Sequence, residues 1–458
     1  IGKNLKGTIL VPYPIESALS GVMKTADRLW YRRTFKIPEE WNDKRIILHF
    51  GAVDWETEIY INGKKIGEHR GGYDPFSFEI TSSLMKGKEQ ELVVGVFDPT
   101  DAGDQPRGKQ VRNPHGIWYT PTTGIWQTVW LEPVPDHYIY DLIITPNVDE
   151  KSLKLKVITK DTDEIRATAF IGQRIVATCE GKSGSDLSLP LDTVILWSPS
   201  NPFLYDLKIE LIHNGKVHDE VASYFGMRKI HIRKDALGIR RIMLNNKFLM
   251  QVGLLDQGFW PDGIYTAPTD EALKYDIEIT KKLGFNMTRK HVKVEPERWY
   301  YWADKLGLLV WQDMPSGNNK TPESKKHFEK ELEHLIQTHK NHPSIIMWVV
   351  FNEGWGQFET ERLTEWVKDL DPTRLVNNAS GWTDKNAGDV MDIHNYPKPL
   401  SPKAEPKRAI VLGEFGGLGL AIPNHTWKKE HWGYKGMQDN EQLTSTYETF
   451  LKKVYEYK

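Results

Sequence analysis

From about residue 26 to residue 232, hydrophobic and polar positions alternate in short runs separated by turn residues every ten positions or so. Alternation with a period of two buries one face of a strand and wets the other, so this half of the chain predicts β structure. Glu56 to Ile61 and Glu91 to Val96 are clear instances. Asn62-Gly63 and Asn214-Gly215 each sit between two such runs and predict tight hairpins, because Asn-Gly readily takes the positive φ angles a two-residue turn needs. A break at Pro133-Val134-Pro135 divides the region into residues 1–135 and 136–232. The second piece, about 95 residues long, fits an immunoglobulin-like sandwich in size and turn spacing.

After about residue 240 the period changes, and short apolar runs alternate with amphipathic helices. Strands are predicted over Phe248 to Leu255, Asn286 to Arg289, Leu308 to Trp311, Ser344 to Asn352, Val376 to Ala379, Val390 to Asn395 and Ala409 to Glu414. Thr269 and Thr321-Pro322 open helices, Gly307 ends one, and the last helix runs from Asn440 to Tyr457. Strand-helix repetition implies a parallel sheet, and seven units imply a TIM barrel over residues 233–458. No run supplies an eighth strand, and a barrel open at one seam exposes strand edges. The expectation is therefore a C-terminally trimmed sequence with some flexible loops omitted. The chain also starts at Ile1, so a signal peptide or a first strand could have been removed ahead of it, and the lack of a targeting segment is uninformative.

A length of 458 residues exceeds what one core supports, in keeping with several domains. Lys plus Arg number 60 against 62 Asp plus Glu, and nothing in that balance advertises nucleic acid or an anionic membrane. No apolar stretch reaches the roughly 18 residues of a membrane span. One cysteine, Cys179, excludes an internal disulfide framework and a thiolate metal cluster. Seventeen Trp are more than packing usually asks for, and rings that stack on sugar faces are one use for them.

The candidate chemistry lies in two carboxylic acids that close buried runs. Glu353 ends Ile345-Ile346-Met347-Trp348-Val349-Val350-Phe351-Asn352, and Glu414 ends Ala409-Ile410-Val411-Leu412-Gly413. Strand ends on the C-terminal face of a barrel are where catalytic groups sit. Two acids there are what glycoside hydrolysis needs, one to protonate the leaving oxygen and one to attack the anomeric carbon. Paired structural ions are the alternative reading.

These runs carry a resemblance over nearly the whole chain. Asn341-His342-Pro343-Ser344 leading to Asn352-Glu353, and Gly413-Glu414-Phe415-Gly416-Gly417, are similar to the acid/base and nucleophile regions of glycoside hydrolase family 2, the family of β-galactosidases, β-glucuronidases and β-mannosidases. Glu68-His69-Arg70-Gly71-Gly72-Tyr73 resembles its sugar-binding jelly roll, and Leu196-Trp197-Ser198-Pro199 with Phe225-Gly226-Met227-Arg228 its central sandwich. The resemblance implies a jelly-roll β-sandwich, an immunoglobulin-like sandwich and a (β/α)8 barrel.

It further implies a retaining, exo-acting β-glycosidase, foremost a β-galactosidase, with β-glucuronidase, β-mannosidase or a non-catalytic carbohydrate-binding protein as alternatives. Glu353 would be the acid/base and Glu414 the nucleophile. Asn352 would grip the sugar 2-hydroxyl, Arg289 would pair with the nucleophile, and Tyr396 would hydrogen-bond it. His394, Asp313, Trp311, Gln257 and the rings of Trp355, Trp382 and Trp260 would line the pocket. Gln257 stands where many galactosidases and glucuronidases of the family carry a sugar-contacting histidine. No cofactor is implied, although a structural cation (Mg, Na or Ca) occurs in some relatives. The substrate would be an oligosaccharide or a polysaccharide side chain. A homo-oligomer would suit the family, as would a periplasmic or secreted location, with the cytoplasm as the alternative.

Overall fold

The computed structural model describes residues 7–426 and 431–457, and in it two β-sandwiches precede an arc of parallel strands backed by helices. In the first sandwich a sheet ordered Arg28–Phe35, Gln90–Phe97, Glu56–Ile61, Lys64–Arg70 faces one ordered Phe76–Glu79, Arg45–Phe50, Val129–Val134. The period-two pattern sets the faces. Thr57, Ile59 and Ile61 are buried while Glu56, Glu58 and Tyr60 are half-buried, and the two isoleucines join Ile46, Leu48, Phe50 and Val94 in one core. Asn62-Gly63 turns at φ 51° and 81°.

The second sandwich has a sheet ordered Arg174–Lys182, Glu164–Ile171, Tyr205–His213, Lys216–Phe225 and another ordered Ile139–Asn147, Ser152–Thr159, Leu187–Pro190. Leu155, Val157, Ile165, Leu207, Ile209 and Leu211 fill the space between them. The expected hairpin at Asn214-Gly215 is present, at φ 50° and 75°.

The seven barrel strands are β1 (Gly253–Asp256), β2 (Met287–Lys290), β3 (Leu309–Asp313), β4 (Ile345–Asn352), β5 (Leu375–Ser380), β6 (Val390–Asn395) and β7 (Ala409–Phe415). Strands β1 to β5 form one parallel ladder and β6 with β7 another. Asp389 and Asp392 join the two, Asp389 by a backbone bond to Val376 at 2.8 Å and Asp392 by accepting from Asn377 Nδ2 at 2.7 Å. Helices α1 (Asp270–Lys282), α2 (Glu297–Leu306), α3 (Pro322–His339), α4 (Thr360–Leu370) and α5 (Asn440–Glu456) carry the predicted signals. Thr269 caps α1 and Thr321 with Ser324 makes a capping box on α3, whose Phe328, Leu332, Leu335 and Ile336 are buried. Gly307 stops α2 at φ 79°, a left-handed angle that favours glycine.

Two expectations are corrected. Phe248 to Leu255 is not one strand. Lys247–Phe248 pairs with Arg240–Leu244, and only Gly253 onward joins the barrel. Between them Asn286 Nδ2 donates to Met250 O at 2.8 Å and Asn286 Oδ1 accepts from Val252 N–H at 3.0 Å, so a side-chain amide replaces the ladder there. Strand Ile230–Lys234 straddles the expected boundary at 232/233 and pairs with Arg240–Leu244. That hairpin packs Ile230, Ile242 and Leu244 beneath the barrel against Trp197, Met287, Leu309 and Met347. Among the described residues no eighth strand joins the two barrel ladders, and a short parallel pair, Leu418–Gly419 with Lys435–Gly436, stands apart from them. A cleft of about 220 Å³ lies between β7 and β1, lined in part by Leu254, Ile410, Leu412 and Val454.

Candidate active site

Strands β2 to β7 each deliver a group of the site at or near the C-terminal end, because side chains two apart share a face and the last inward position of a strand opens on the barrel mouth. In β2 and β3, Met287, Leu309 and Trp311 occupy the apolar floor, while Arg289 and Asp313 stand one layer above. Trp311 is thus a floor residue rather than a pocket wall, and its indole N–H donates to Gln251 Oε1 at 2.7 Å.

Arg289, 2% exposed, ties the mouth together. Its guanidinium donates from Nε and Nη2 to the two oxygens of Asp313 at 2.9 and 2.8 Å, from Nη1 to Glu414 Oε1 at 2.8 Å and from Nη2 to Asn352 Oδ1 at 2.9 Å. His291 Nδ1 lies 3.0 Å from Asp313 Oδ2, and Tyr396 O–H donates to Glu414 Oε2. Burial alone would raise the Glu414 carboxyl. Arg289, His291 and His394, with the Tyr396 hydrogen bond, outweigh that and hold it at about 2. Glu414 is ionised throughout the ordinary pH range. The same charge pushes the Tyr396 hydroxyl up, after burial.

Glu353 follows β4 with φ 51°, a left-handed backbone that costs a non-glycine residue about 1–3 kcal/mol. Its N–H donates to Ser380 O at 2.7 Å, and Thr383 Oγ1 donates to its carbonyl. Gly381 lets the group settle, since a Cβ there would lie 3.1 Å from Glu353 Cγ and 3.0 Å from His394 Nδ1. His394 bridges the two acids, with Nδ1 3.0 Å from Glu353 Oε1 and 3.5 Å from Glu414 Oε2. Oxygens of Glu353 and Glu414 lie within 4.8 Å of each other, close to the spacing of a double-displacement pair, whereas inverting pairs stand roughly 6.5–9.5 Å apart.

Behind His394, Ser380 Oγ donates to Asp392 Oδ2 at 2.6 Å and lies 2.7 Å from His394 Nε2. With its proton committed to Asp392, Ser380 accepts from Nε2–H. Nδ1 is then left to share a proton with Glu353 Oε1. Asp392 also accepts from Gly413 N–H at 2.8 Å at the irregularity where His394 pairs with Glu414. A Cβ at Gly413 would lie 2.3 Å from Asp392 Oδ1, so glycine permits this local turn of Glu414 towards His394.

From the first sandwich, the sequence reading missed Lys109. Lys109 is buried beside the acids. Burial lowers its ammonium to about 8, with Glu414 and Glu353 partly offsetting the drop. Trp118 lies 4.9 Å from Trp355 centroid to centroid, and Tyr119 stacks on Phe259 at 4.1 Å. Arg107 and Gly108 donate backbone N–H groups to Ser316 O, fixing this loop on the barrel mouth. Tyr434 stacks on Tyr396 at 3.8 Å. Asp392 and Ser380 stood in or beside predicted strands and carried a signal, whereas Lys109 carried none.

Trp382 is 61% exposed with its ring edge-on to His394 at 5.4 Å, in the position of a rim platform. Trp260 packs partly against the core on the far side of the loop after β1. Gln257 makes no hydrogen bond to either glutamate, and its buried Oε1 has no hydrogen-bond partner. Glu353, His394 and Glu414 are close enough to ligate one ion. Arg289 and Tyr396 each bond one oxygen of Glu414, so an ion there would share those oxygens with them.

Two strand-end acids over a buried arginine, on a barrel roofed by a β-sandwich, define a glycosidase-type fold. Family models agree. Residues 6–133 match "Glycosyl hydrolases family 2, sugar binding domain", residues 137–228 match "Glycosyl hydrolases family 2", and residues 239–400 match "Glycosyl hydrolases family 2, TIM barrel domain". The chain belongs to glycoside hydrolase family 2.

A β-galactosidase of Thermoanaerobacter pseudethanolicus is 27% identical over 80% of this chain and 50% of its own length. A β-glucuronidase of Bacteroides fragilis is 26% identical over 88% of this chain and 65% of its own. The crystal structure of a Bacteroides uniformis β-glucuronidase superposes with a TM-score of 0.71 at 25% identity, covering 85% of this chain and 52% of that one. The chain spans about half the length of curated relatives it matches.

Arg289→Met leaves Asp313 and Glu414 buried without their cation. It should lower stability by about 3–5 kcal/mol, read from the denaturant midpoint of the full chain. An unchanged midpoint would show that the carboxylates do not depend on it.

Proposed function

We propose that this chain is a retaining, exo-acting β-glycosidase that removes terminal β-linked galactose from an oligosaccharide or a polysaccharide side chain. The observation that carries the reading is the pair of acids within 4.8 Å, one held ionised by Arg289 and the other 3.0 Å from His394 Nδ1. Glu414 attacks the anomeric carbon as the glycosidic C–O bond breaks, and Glu353 passes its proton to the departing oxygen. A glycosyl ester on Glu414 results. Water, giving a proton back to Glu353, then releases the sugar with its β configuration kept and returns Glu414 as the carboxylate.

Asn352 accepts from Arg289 through Oδ1, which leaves its NH2 to donate to the sugar 2-hydroxyl. Exo action is supported by the roof that Lys109, Trp118 and Tyr119 place over one side of the mouth. Galactose is supported by the Thermoanaerobacter relative's name. The reaction as written takes no cofactor.

Lys109 favours a second sugar. An ammonium beside the acids suits a sugar that bears its own carboxylate, and the Bacteroides relatives are named β-glucuronidases. A panel of p-nitrophenyl β-glycosides (galactoside, glucuronide, mannoside, glucoside) separates these readings. Turnover of one sugar, reduced at least about 1,000-fold in Glu414→Gln, is expected, a loss on the scale of removing a catalytic group. No turnover of any glycoside by the folded chain, together with tight sugar binding, would favour a non-catalytic carbohydrate-binding protein.

A pH profile tests Lys109. Its charge is present below about 8 and lost as pH rises through that value. If it pairs with a glucuronide carboxylate, KM for that sugar should climb above pH 8 in the wild type. Lys109→Arg, which stays charged, should remove the climb. Identical profiles for glucuronide and galactoside would refute the pairing.

A further inference from the structure

Away from the barrel mouth, the immunoglobulin-like sandwich gathers a second set of donor groups. His137 lies in the link that leaves the first sandwich, Asp163 immediately precedes strand Glu164–Ile171, and His213 ends strand Tyr205–His213. One donor atom from each falls within 4.8 Å of the others. His213 Nδ1 is 2.8 Å and His137 Nδ1 3.5 Å from the same oxygen, Asp163 Oδ1. The two imidazoles stack with centroids 3.8 Å and planes 25° apart, so one ring must turn for both Nδ1 lone pairs to meet a single ion. His218 stands edge-on to both rings, at 5.7 and 5.4 Å.

An ordinary Asp–His pair would not leave what is left here. Asp163 is 4% exposed, yet its Oδ2 has no hydrogen-bond partner, and neither has the buried Nδ1 of His137. Buried polar atoms without partners are costly, and a cation between His137 Nδ1 and the Asp163 carboxylate gives that nitrogen one. The main chain of Asp163 is fixed as well: its N–H donates to Ser183 Oγ at 3.0 Å, and Ser183 N–H returns a bond to Asp163 O at 2.9 Å. A four-coordinate ion with bonds of about 2.0–2.1 Å spaces its donors roughly 3.3 Å apart, between the two separations seen.

We propose that His137, Asp163 and His213 bind one divalent transition-metal ion of the zinc type, clamping the link between the two sandwiches onto the immunoglobulin-like sheet. Two imidazoles with one carboxylate suit such an ion, whereas Mg²⁺ and Ca²⁺ take oxygen ligands. The fourth position is open to water or His218. This site does not rest on the glycosidase reading.

Zn²⁺ and Co²⁺ titrated into the metal-free full chain test it. The expected result is one ion per chain, visible d–d absorption for Co²⁺, and a melting temperature raised by several degrees with Zn²⁺. Asp163→Asn and His213→Gln should each weaken binding by more than about 100-fold, since losing an outer contact alone costs roughly 10–100-fold. His137→Gln, at a half-buried position, serves if either variant fails to fold. Glu353→Gln should bind as the wild type does, which separates this site from the barrel mouth. No stoichiometric binding, binding that survives His137→Gln with Asp163→Asn, or binding lost in Glu353→Gln would each overturn the proposal.

Discussion

The barrel mouth depends on one buried cation. Arg289 emerges from β2 into a space where Asp313, Glu414 and Asn352 all converge, and its planar fork meets each of them at hydrogen-bond distance. A lysine in its place would supply a point charge without the geometry to hold three partners at once. Because the guanidinium cannot lose its proton there, two carboxylates stay ionised while almost completely buried. The ends of β2, β3, β4 and β7 are thereby fixed relative to one another. Glu414 becomes a preorganised anion rather than a strand-end acid seeking a partner.

Around that fixed charge the site divides its labour between two acids in unlike surroundings. Glu414 sits under Arg289 and Tyr396, whereas Glu353 faces His394 on a left-handed turn whose strain is held by Ser380 and Thr383. Of the two, Glu414 alone has a guanidinium against it, and that charge keeps it the anion of the pair. The first sandwich takes part through Lys109 and the loop seated on Ser316. The mouth is therefore shaped by two domains.

How much of this was legible varied with the range of the interactions. Strand alternation, Asn-Gly turns, threonine caps and the Gly307 stop are local, and the structure has them where the pattern put them. Glu353, Glu414, Asn352, Arg289, Tyr396, His394 and Asp313 do converge, because each ends a strand of a parallel arc and the topology carries strand ends to one face. The reading failed where a distant group intervened. Asn286 broke the apolar run after Phe248 into two short pieces, and Trp311, on the same face as Asp313 but two residues earlier, lies one layer down in the floor. Lys109 reaches the acids from another domain, which no local pattern encodes. Gln257, placed by matched position, has its Oε1 buried without a partner, and Trp260, offered as a sugar platform, packs partly against the core.

The most direct test of the central claim is the anomeric configuration of the first product, followed by proton NMR during hydrolysis of whichever β-glycoside the chain accepts. Carboxyl oxygens within 4.8 Å leave no room for a water between nucleophile and substrate, so the β anomer should appear first and mutarotate afterwards. Initial appearance of the α anomer would mean that water, not Glu414, attacks the anomeric carbon, and would contradict the account.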